Sequence, residues 1–293
     1  YYTFAANDLV KKALGEYANG ISDEGWIPCV YPSQLKTRGN LPTWGMRYPV
    51  IVYEYYLHTG DKETVKAVVP AIIKQMEFLS KSEDSEYFLR NLSGWAFIDW
   101  TKMQSGLCST QGALNGWYLD ALNATANIFR ELGDKEQEKK YRHKATQLRR
   151  NLAKLWSAKL KAFLPWRLDD KDRPRIIPPD LITQHDNFML ALMDVGTPVQ
   201  RKQALRAAAG ITNDYLPHIG SYQNQFMPIG QWGNIKSEYL IRLGSPFYSY
   251  YALLALIKNA QIQDAVDYIR HGWGMMLENG ATTCWEMWDR HTS

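Results

Sequence analysis

The 293-residue sequence is poor in the features that most often assign a function by inspection. Its three cysteines, Cys29, Cys108 and Cys284, stand far apart, with no CxxC pair and no neighbouring histidine at metal-ligand spacing. Neither a disulfide framework nor a zinc site is implied. No run approaches the ~20 consecutive apolar residues of a membrane span. The chain opens at Tyr1 without an initiator methionine, a charged n-region or an apolar h-region; its start is read as not the natural one, and the compartment is not legible. GxxxxGK, strand-led GxGxxG, HExxH and GxSxG are all missing, which removes the motif-based cases for nucleotide binding, zinc hydrolysis and a serine nucleophile. Charge of one sign is also lacking: 34 basic against 30 acidic side chains give a net +4. The basic residues gather mainly at 135–161 with helical spacing, a solvated outer helix rather than a nucleic-acid groove.

What is there is ordinary globular material, 45% hydrophobic and 22% charged, enough to close a large core as one domain or two small ones. Aromatic content stands out, with eleven Trp and eighteen Tyr in a 13% aromatic share. Flat rings with a polar edge suit sugar rings, whose C–H faces lie on them while the hydroxyls seek carboxylates and amides. The same residues also pack ordinary cores.

Periodicity is helical throughout. Val65, Val68, Val69, Ile72, Ile73, Met76 and Leu79 fall on one stripe of a helix over about 61–81. Leu114, Trp117, Leu122, Thr125, Ile128, Phe129 and Leu132 mark a second, and a narrow apolar stripe among many charges marks a third over about 135–156. Nearly all-apolar segments at 44–57, 188–195 and 246–257 are each followed by an amphipathic or charged one. That alternation predicts two concentric helical layers, because a helix apolar on every side must be surrounded by protein. The turns within pairs recur at Gly60-Asp61, Gly133-Asp134, Gly196-Thr197 and Asn259-Ala260, 63 to 73 residues apart. Glycine at such a position closes one helix in a left-handed conformation, and Asp or Thr caps the next. Tetratricopeptide-like solenoids repeat at about half that length, so a closed ring of helical hairpins is predicted. The opposite connections (21–43, 82–107, 157–180, 210–232, 278–285) are long and rich in Trp, Gly, Pro and Asp. Function is expected at that end, where the apolar helices begin.

Two carboxylates sit there inside aromatic clusters: Asp99 in Trp95-Ala96-Phe97-Ile98-Asp99-Trp100, and Glu286 in Trp285-Glu286-Met287-Trp288. A carboxylate among indole rings is partly desolvated, so it is neutralised, paired, or held ready for a ligand's hydroxyls or protons. The structural alternative is a buried acid that caps a helix or meets an arginine such as Arg47. Trp44, with Thr43 as the expected N-cap, either lines the mouth of the ring or packs its core. His185, at the start of another apolar helix, either binds a hydroxyl or is structural. Glu54, mid-helix in an apolar segment, reads as a satisfied structural group. Glycoside hydrolysis needs only two such acids, one to protonate the leaving oxygen and one to activate water or attack the anomeric carbon.

These motifs resemble the bacterial α-L-rhamnosidase family of glycoside hydrolases over nearly the whole chain. The likeness runs through Asp23-Glu24-Gly25-Trp26-Ile27-Pro28, the Trp44 helix ending in Thr59-Gly60-Asp61, Phe97-Ile98-Asp99-Trp100, Leu132-Gly133-Asp134, and Asn279-Gly280-Ala281-Thr282-Thr283-Cys284-Trp285-Glu286. The resemblance implies an all-α (α/α)6 six-hairpin toroid, lacking its first helix here, as a single domain over 1–293. It implies an inverting mechanism in which Glu286 matches the base, Trp44 and Trp100 are aromatic walls and Asp99 is a hydroxyl ligand. His185, Trp285 and Trp288 complete the candidate substrate-binding set. The family's early acidic motif has no match, so the general acid is expected upstream of Tyr1 and a sugar-binding histidine beyond Ser293; Met46 stands where many relatives have an acid. Implied partners are a terminal rhamnoside or related deoxy-sugar and, in the full-length protein, flanking β-sandwich domains. No metal or organic cofactor, nucleic acid or membrane is implied. Competing readings are another (α/α)-barrel enzyme such as a glucuronyl hydrolase, a non-catalytic carbohydrate-binding barrel, and an α-solenoid interaction surface.

Overall fold

The computed structural model describes residues 6–32, 41–90, 92, 94, 96–99, 111–169, 179–210, 240–241 and 243–288. Helix dominates them: α1 (Asn7–Asn19), α2 (Pro42–Gly45), α3 (Arg47–Thr59), α4 (Lys62–Ser80), α5 (Gln111–Leu132), α6 (Lys135–Leu152), α7 (Gln184–Leu192), α8 (Pro198–Gly210), α9 (Pro246–Lys258) and α10 (Ile262–Glu278). Among the described residues, sheet is confined to two pairs of two-residue strands. β1 (Trp156–Ser157) runs antiparallel to β2 (Ala162–Phe163), and β3 (Ile182–Thr183) parallel to β4 (Leu240–Ile241). The architecture is predominantly all-α, as the periodicity predicts.

The recurrent turns form largely as expected. Gly60 and Gly133 take φ of 68° and 81°, a region that costs a side chain with Cβ about 1–2 kcal/mol. Asp61 Oδ1 then accepts from Thr64 N at 3.0 Å, and Asp134 Oδ1 from Gln137 N at 3.0 Å, satisfying donors left free by the new helix. The fourth turn differs: Asn259 keeps φ at −96°, and Ala260 is the left-handed residue. Asn259 closes α9 with its own side chain, donating from Nδ2 to Ala255 O at 2.9 Å and accepting from Arg201 Nε at 3.3 Å. Thr43 is not the expected N-cap. Pro42, preorganised for a first helical position, starts α2 two residues earlier, with Leu41 before it, and leaves Thr43 buried inside the helix.

The chain divides into two compact units, residues 1–96 with 117–148 and residues 97–116 with 149–293, two of the three boundaries falling within α5 and α6. In the first, α1, α3 and α4 pack together. Leu14 is buried with Val65, Val68, Ile72, Met76 and Leu79, most of the predicted α4 stripe, while Val69 and Ile73 are half-buried. Tyr48 OH donates to Leu14 O at 2.7 Å. Phe129 stacks on Tyr141 at 5.7 Å and 1° between planes, and burial pushes the Tyr141 phenol up to about 12. In the second unit, α7 packs against both α8 and α9, and α9 against α10. Every side chain of α7 from Gln184 to Ala191 is buried, the enclosed helix that the run at 188–195 predicts. The other two apolar segments are less enclosed: α3 leaves Ile51 and Leu57 exposed, and α9 leaves Phe247, Tyr250 and Ile257.

Candidate functional site

In the second unit the first turn of α7 consists of four polar residues, Gln184, His185, Asp186 and Asn187, all fully buried. Each ties the helix to a different segment. Gln184 donates from Nε2 to Ala208 O at 3.0 Å and accepts at Oε1 from Leu243 N at 2.8 Å. Asp186 Oδ1 accepts from Ala113 N at 2.6 Å, and its Oδ2 accepts the Thr183 hydroxyl. Thr183 caps α7 by accepting from Asp186 N at 3.0 Å. Asn187 pairs with Phe163 in both directions, donating to its O at 3.0 Å and accepting from its N at 2.8 Å. Buried polar groups persist only when satisfied in this way.

His185 completes the turn through Asp99. The His185 Nε2 lies 2.9 Å from Asp99 Oδ2, which also accepts from Gly244 N at 2.7 Å, while Oδ1 accepts the Ser245 hydroxyl. Ser245 in turn caps α9, accepting from Tyr248 N at 3.2 Å, and Pro246 occupies the first helical position. Tyr248 returns to the cluster: its OH donates to His185 O at 3.1 Å, and the two rings sit 4.8 Å apart. Burial, with the charges of Asp186 and Asp99, holds that phenol well above its ordinary range, so it stays a donor. His185 Nδ1 has no hydrogen-bond partner among the described residues. Asp99 and His185 are thus brought together, fully buried, as a latch between the start of α7 and the start of α9.

The Trp-Glu-Met-Trp segment after α10 reaches the same place. Trp288 N donates to Gly244 O at 2.8 Å, so Gly244 accepts from Trp288 on one side and donates to Asp99 on the other. The Trp288 ring is fully buried with Met275 and Met276, edge-on to Trp273 at 5.2 Å. It lies so near Gly272 that a Cβ there would stand 3.0 Å from it. Trp285 is half-buried against this cluster, and Glu286 is exposed. Trp288 is therefore core, while Trp285 and Glu286 keep surface available to a ligand.

In the first unit Trp44 is 41% exposed on α2. That turn is held by Gln75, whose Nε2 donates to Gly45 O at 2.6 Å. Arg47 pairs with Asp120. Glu54 shares their surroundings; burial raises its carboxyl above the ordinary range, with Arg47 opposing and Asp120 adding. Trp100 lies outside the described residues. Among those described, no group of three or more His, Cys, Asp or Glu residues is placed to hold a metal ion, and no helix is long and apolar enough to cross a membrane.

Sequence reasoning missed Gln184, Asp186, Asn187, Gly244 and Ser245. Two signals for them were present: four consecutive polar residues directly before an apolar run, and a Ser-Pro pair opening α9.

The family model for the bacterial alpha-L-rhamnosidase 6 hairpin glycosidase domain matches residues 1–216. The chain belongs to this family. Its six-hairpin fold is shared with a rhamnosidase from Klebsiella oxytoca with rhamnose bound, at 21% identity and a TM-score of 0.74 over 97% of this chain and 48% of that one. The GH78 family rhamnosidase of Bacillus sp. GL1 matches at 20% identity and a TM-score of 0.77 over 98% of this chain and 27% of that one. An alpha-L-rhamnosidase from Dictyoglomus thermophilum matches at 17% identity and 0.70, over 96% and 29%. The six-hairpin chain thus spans half or less of the length of these structures. No curated protein sequence matches it. The latch between α7, α9 and the Trp-Glu-Met-Trp segment therefore belongs to a glycoside-hydrolase-like fold.

Proposed function

We propose that residues 1–293 form a single catalytic-type barrel domain of an inverting glycoside hydrolase acting on terminal α-L-rhamnose or a related deoxy-sugar, with Glu286 as general base. The observation that carries this reading is an exposed carboxylate beside a half-buried indole, on a segment anchored by Trp288 to the Asp99 latch. Family membership and the rhamnose held by the Klebsiella relative support the substrate class. In an inverting mechanism the base deprotonates a water on the face of the sugar opposite the leaving group, with the two carboxyls ~6.5–9.5 Å apart. The exposure of Glu286 supports this role, since a base of this kind must reach water. Trp285, half-buried and next to Glu286 in the chain, supplies a ring face for the sugar. Asp99, His185 and Trp288 act one step back, as positioning residues that fix Gly244 and the chain leading to Glu286.

The test is Glu286→Gln in the full-length enzyme. Turnover of an aryl rhamnoside should fall by about 10²–10⁴, the range for losing one acid–base group, with the melting temperature unchanged because the side chain is exposed. Unchanged hydrolysis removes the assignment. Hydrolysis of an unsaturated glucuronide in place of the rhamnoside transfers the mechanism to the related uronate-acting class.

A further inference from the structure

A second feature of the first unit shares no residue with the latch. The segment 82–90 is a tight hairpin: Asp84 N donates to Phe88 O at 2.9 Å, Arg90 N to Ser82 O at 2.8 Å, and Glu83 bridges Leu89 in antiparallel fashion. Asp84 Oδ1 accepts from Glu86 N and Phe88 N, and its Oδ2 from Arg90 Nε. Inside this braced loop Tyr87 is held at φ 66°, a conformation that a bulky aromatic residue rarely adopts and glycine would take freely. The outcome is placement. Phe88 and Leu89 are buried, while the Tyr87 ring stays half-buried beside α6, edge-on to His143 at 6.2 Å and with Lys144 Nζ 6.0 Å from its centre.

Tyr87 forms one wall of an open cleft of about 670 Å³ otherwise lined from α6, by Glu136, Lys139, Lys140, Arg142, His143 and Lys144 among others. Of its cations, Lys144 is neutralised by Glu83 at 2.7 Å. Lys139, Lys140 and Arg142 have no ion pair among the described residues; Arg142 donates only to the neutral amides of Asn123 and Asn127. Three cations without an ion pair among the described residues therefore line the same cleft as one aromatic ring held in an unfavourable backbone conformation. Strain of this kind persists where its surroundings over-determine it, and it concentrates at sites that use the side chain it presents.

We propose that this cleft is an accessory binding site for an acidic saccharide, with a sugar ring lying on Tyr87 and its carboxylates met by Lys139, Lys140 and Arg142. A single ring platform flanked by separated cations matches a chain of sugars carrying one charge per unit. A nucleic acid would need a continuous run of phosphate contacts, which Glu136 within the cleft interrupts. The assignment does not depend on Glu286 being a catalytic base, because its readout is binding alone.

The experiment is calorimetric titration of the 293-residue chain with a hexameric oligouronate, the neutral hexasaccharide of the same length, and a single-stranded oligonucleotide of equal charge. Binding of the oligouronate, strengthened at low salt, is expected, with neither of the other two competing. Tyr87→Gly keeps the backbone conformation and removes the ring, and should weaken oligouronate binding about tenfold; Lys139→Ala with Lys140→Ala should weaken it at least as much and flatten its salt dependence. Absence of oligouronate binding, equal binding of the oligonucleotide, or full affinity in Tyr87→Gly overturns the proposal. Circular dichroism of the variants separates lost binding from lost folding.

Discussion

Replacing Asp99 tests the latch on which the geometry of the site depends. Its carboxylate accepts Gly244 N–H, the Ser245 hydroxyl and His185 Nε2, all in the buried interior. In Asp99→Asn the amide oxygen keeps its place toward Gly244 and His185, since the reverse orientation sets NH2 against two donors. The NH2 then faces Ser245 Oγ, which already accepts from Tyr248 N. A charge-assisted bond exceeds a neutral one by about 1 kcal/mol, and relief of the buried charge offsets part of the three-bond total, leaving a loss of about 2 kcal/mol. Asp99→Ala orphans all three donors; at about 1–3 kcal/mol each, less what entering water restores, the loss is about 4 kcal/mol. At roughly 2 °C per kcal/mol for a chain of this size, calorimetry should show Tm lowered by about 4 °C in Asp99→Asn and about 8 °C in Asp99→Ala. The Gly244 amide should exchange hydrogen faster in both. A melting point for Asp99→Ala within 1 °C of the parent, or an unchanged Gly244 exchange rate, refutes the latch.

Glu54 contributes a pH dependence whose sign follows from its raised pKa. The folded state holds the Glu54 proton more tightly than the unfolded chain, so this stabilisation is fully present below the ordinary value of 4.5 and is lost as pH rises through the raised folded value. Glu54→Gln should therefore melt higher than the parent at pH 7 and level with it near pH 4; a lower Tm at pH 7 contradicts the burial argument. At Gly112 an added Cβ would stand 2.3 Å from Asp186 Oδ1, and that carboxylate is pinned by Ala113 and Thr183. Gly112→Ala should lose about 3 kcal/mol, whereas Gly15→Ala, with open space in α1, should gain about 0.5–1 kcal/mol; equal denaturation midpoints for the two variants refute the close approach. Trp288→Ala empties a fully buried site and should cost about 4 kcal/mol, with faster exchange across 282–287; retained protection there would show that Trp288 does not anchor the Glu286 segment.

The helical class, the glycine-closed turns and the enclosed α7 were legible in the sequence, because periodicity, left-handed glycines and Asp caps act within a few residues of one another. Those signals need no partner from elsewhere in the chain. The family was legible for a related reason: the stretches of residues 1–216 that carry the resemblance, such as Asp23-Glu24-Gly25-Trp26 and Thr59-Gly60-Asp61, are short and contiguous.

Where each candidate residue sits, and with which distant partner, follows from the tertiary structure. Asp99 and His185, 86 positions apart, share one hydrogen bond, and Gly244 joins Asp99 to Trp288 through opposite faces of one residue. Trp285, Glu286 and Trp288 look alike as an aromatic-acid cluster, yet they divide into half-buried, exposed and fully buried positions. Burial and hydrogen-bond pairing depend on which distant segments arrive at a point, and a linear pattern does not encode that arrival. Tyr87 shows the same division, since its ring was visible in the sequence but its left-handed backbone and its place beside α6 come from the hairpin that folds around Asp84.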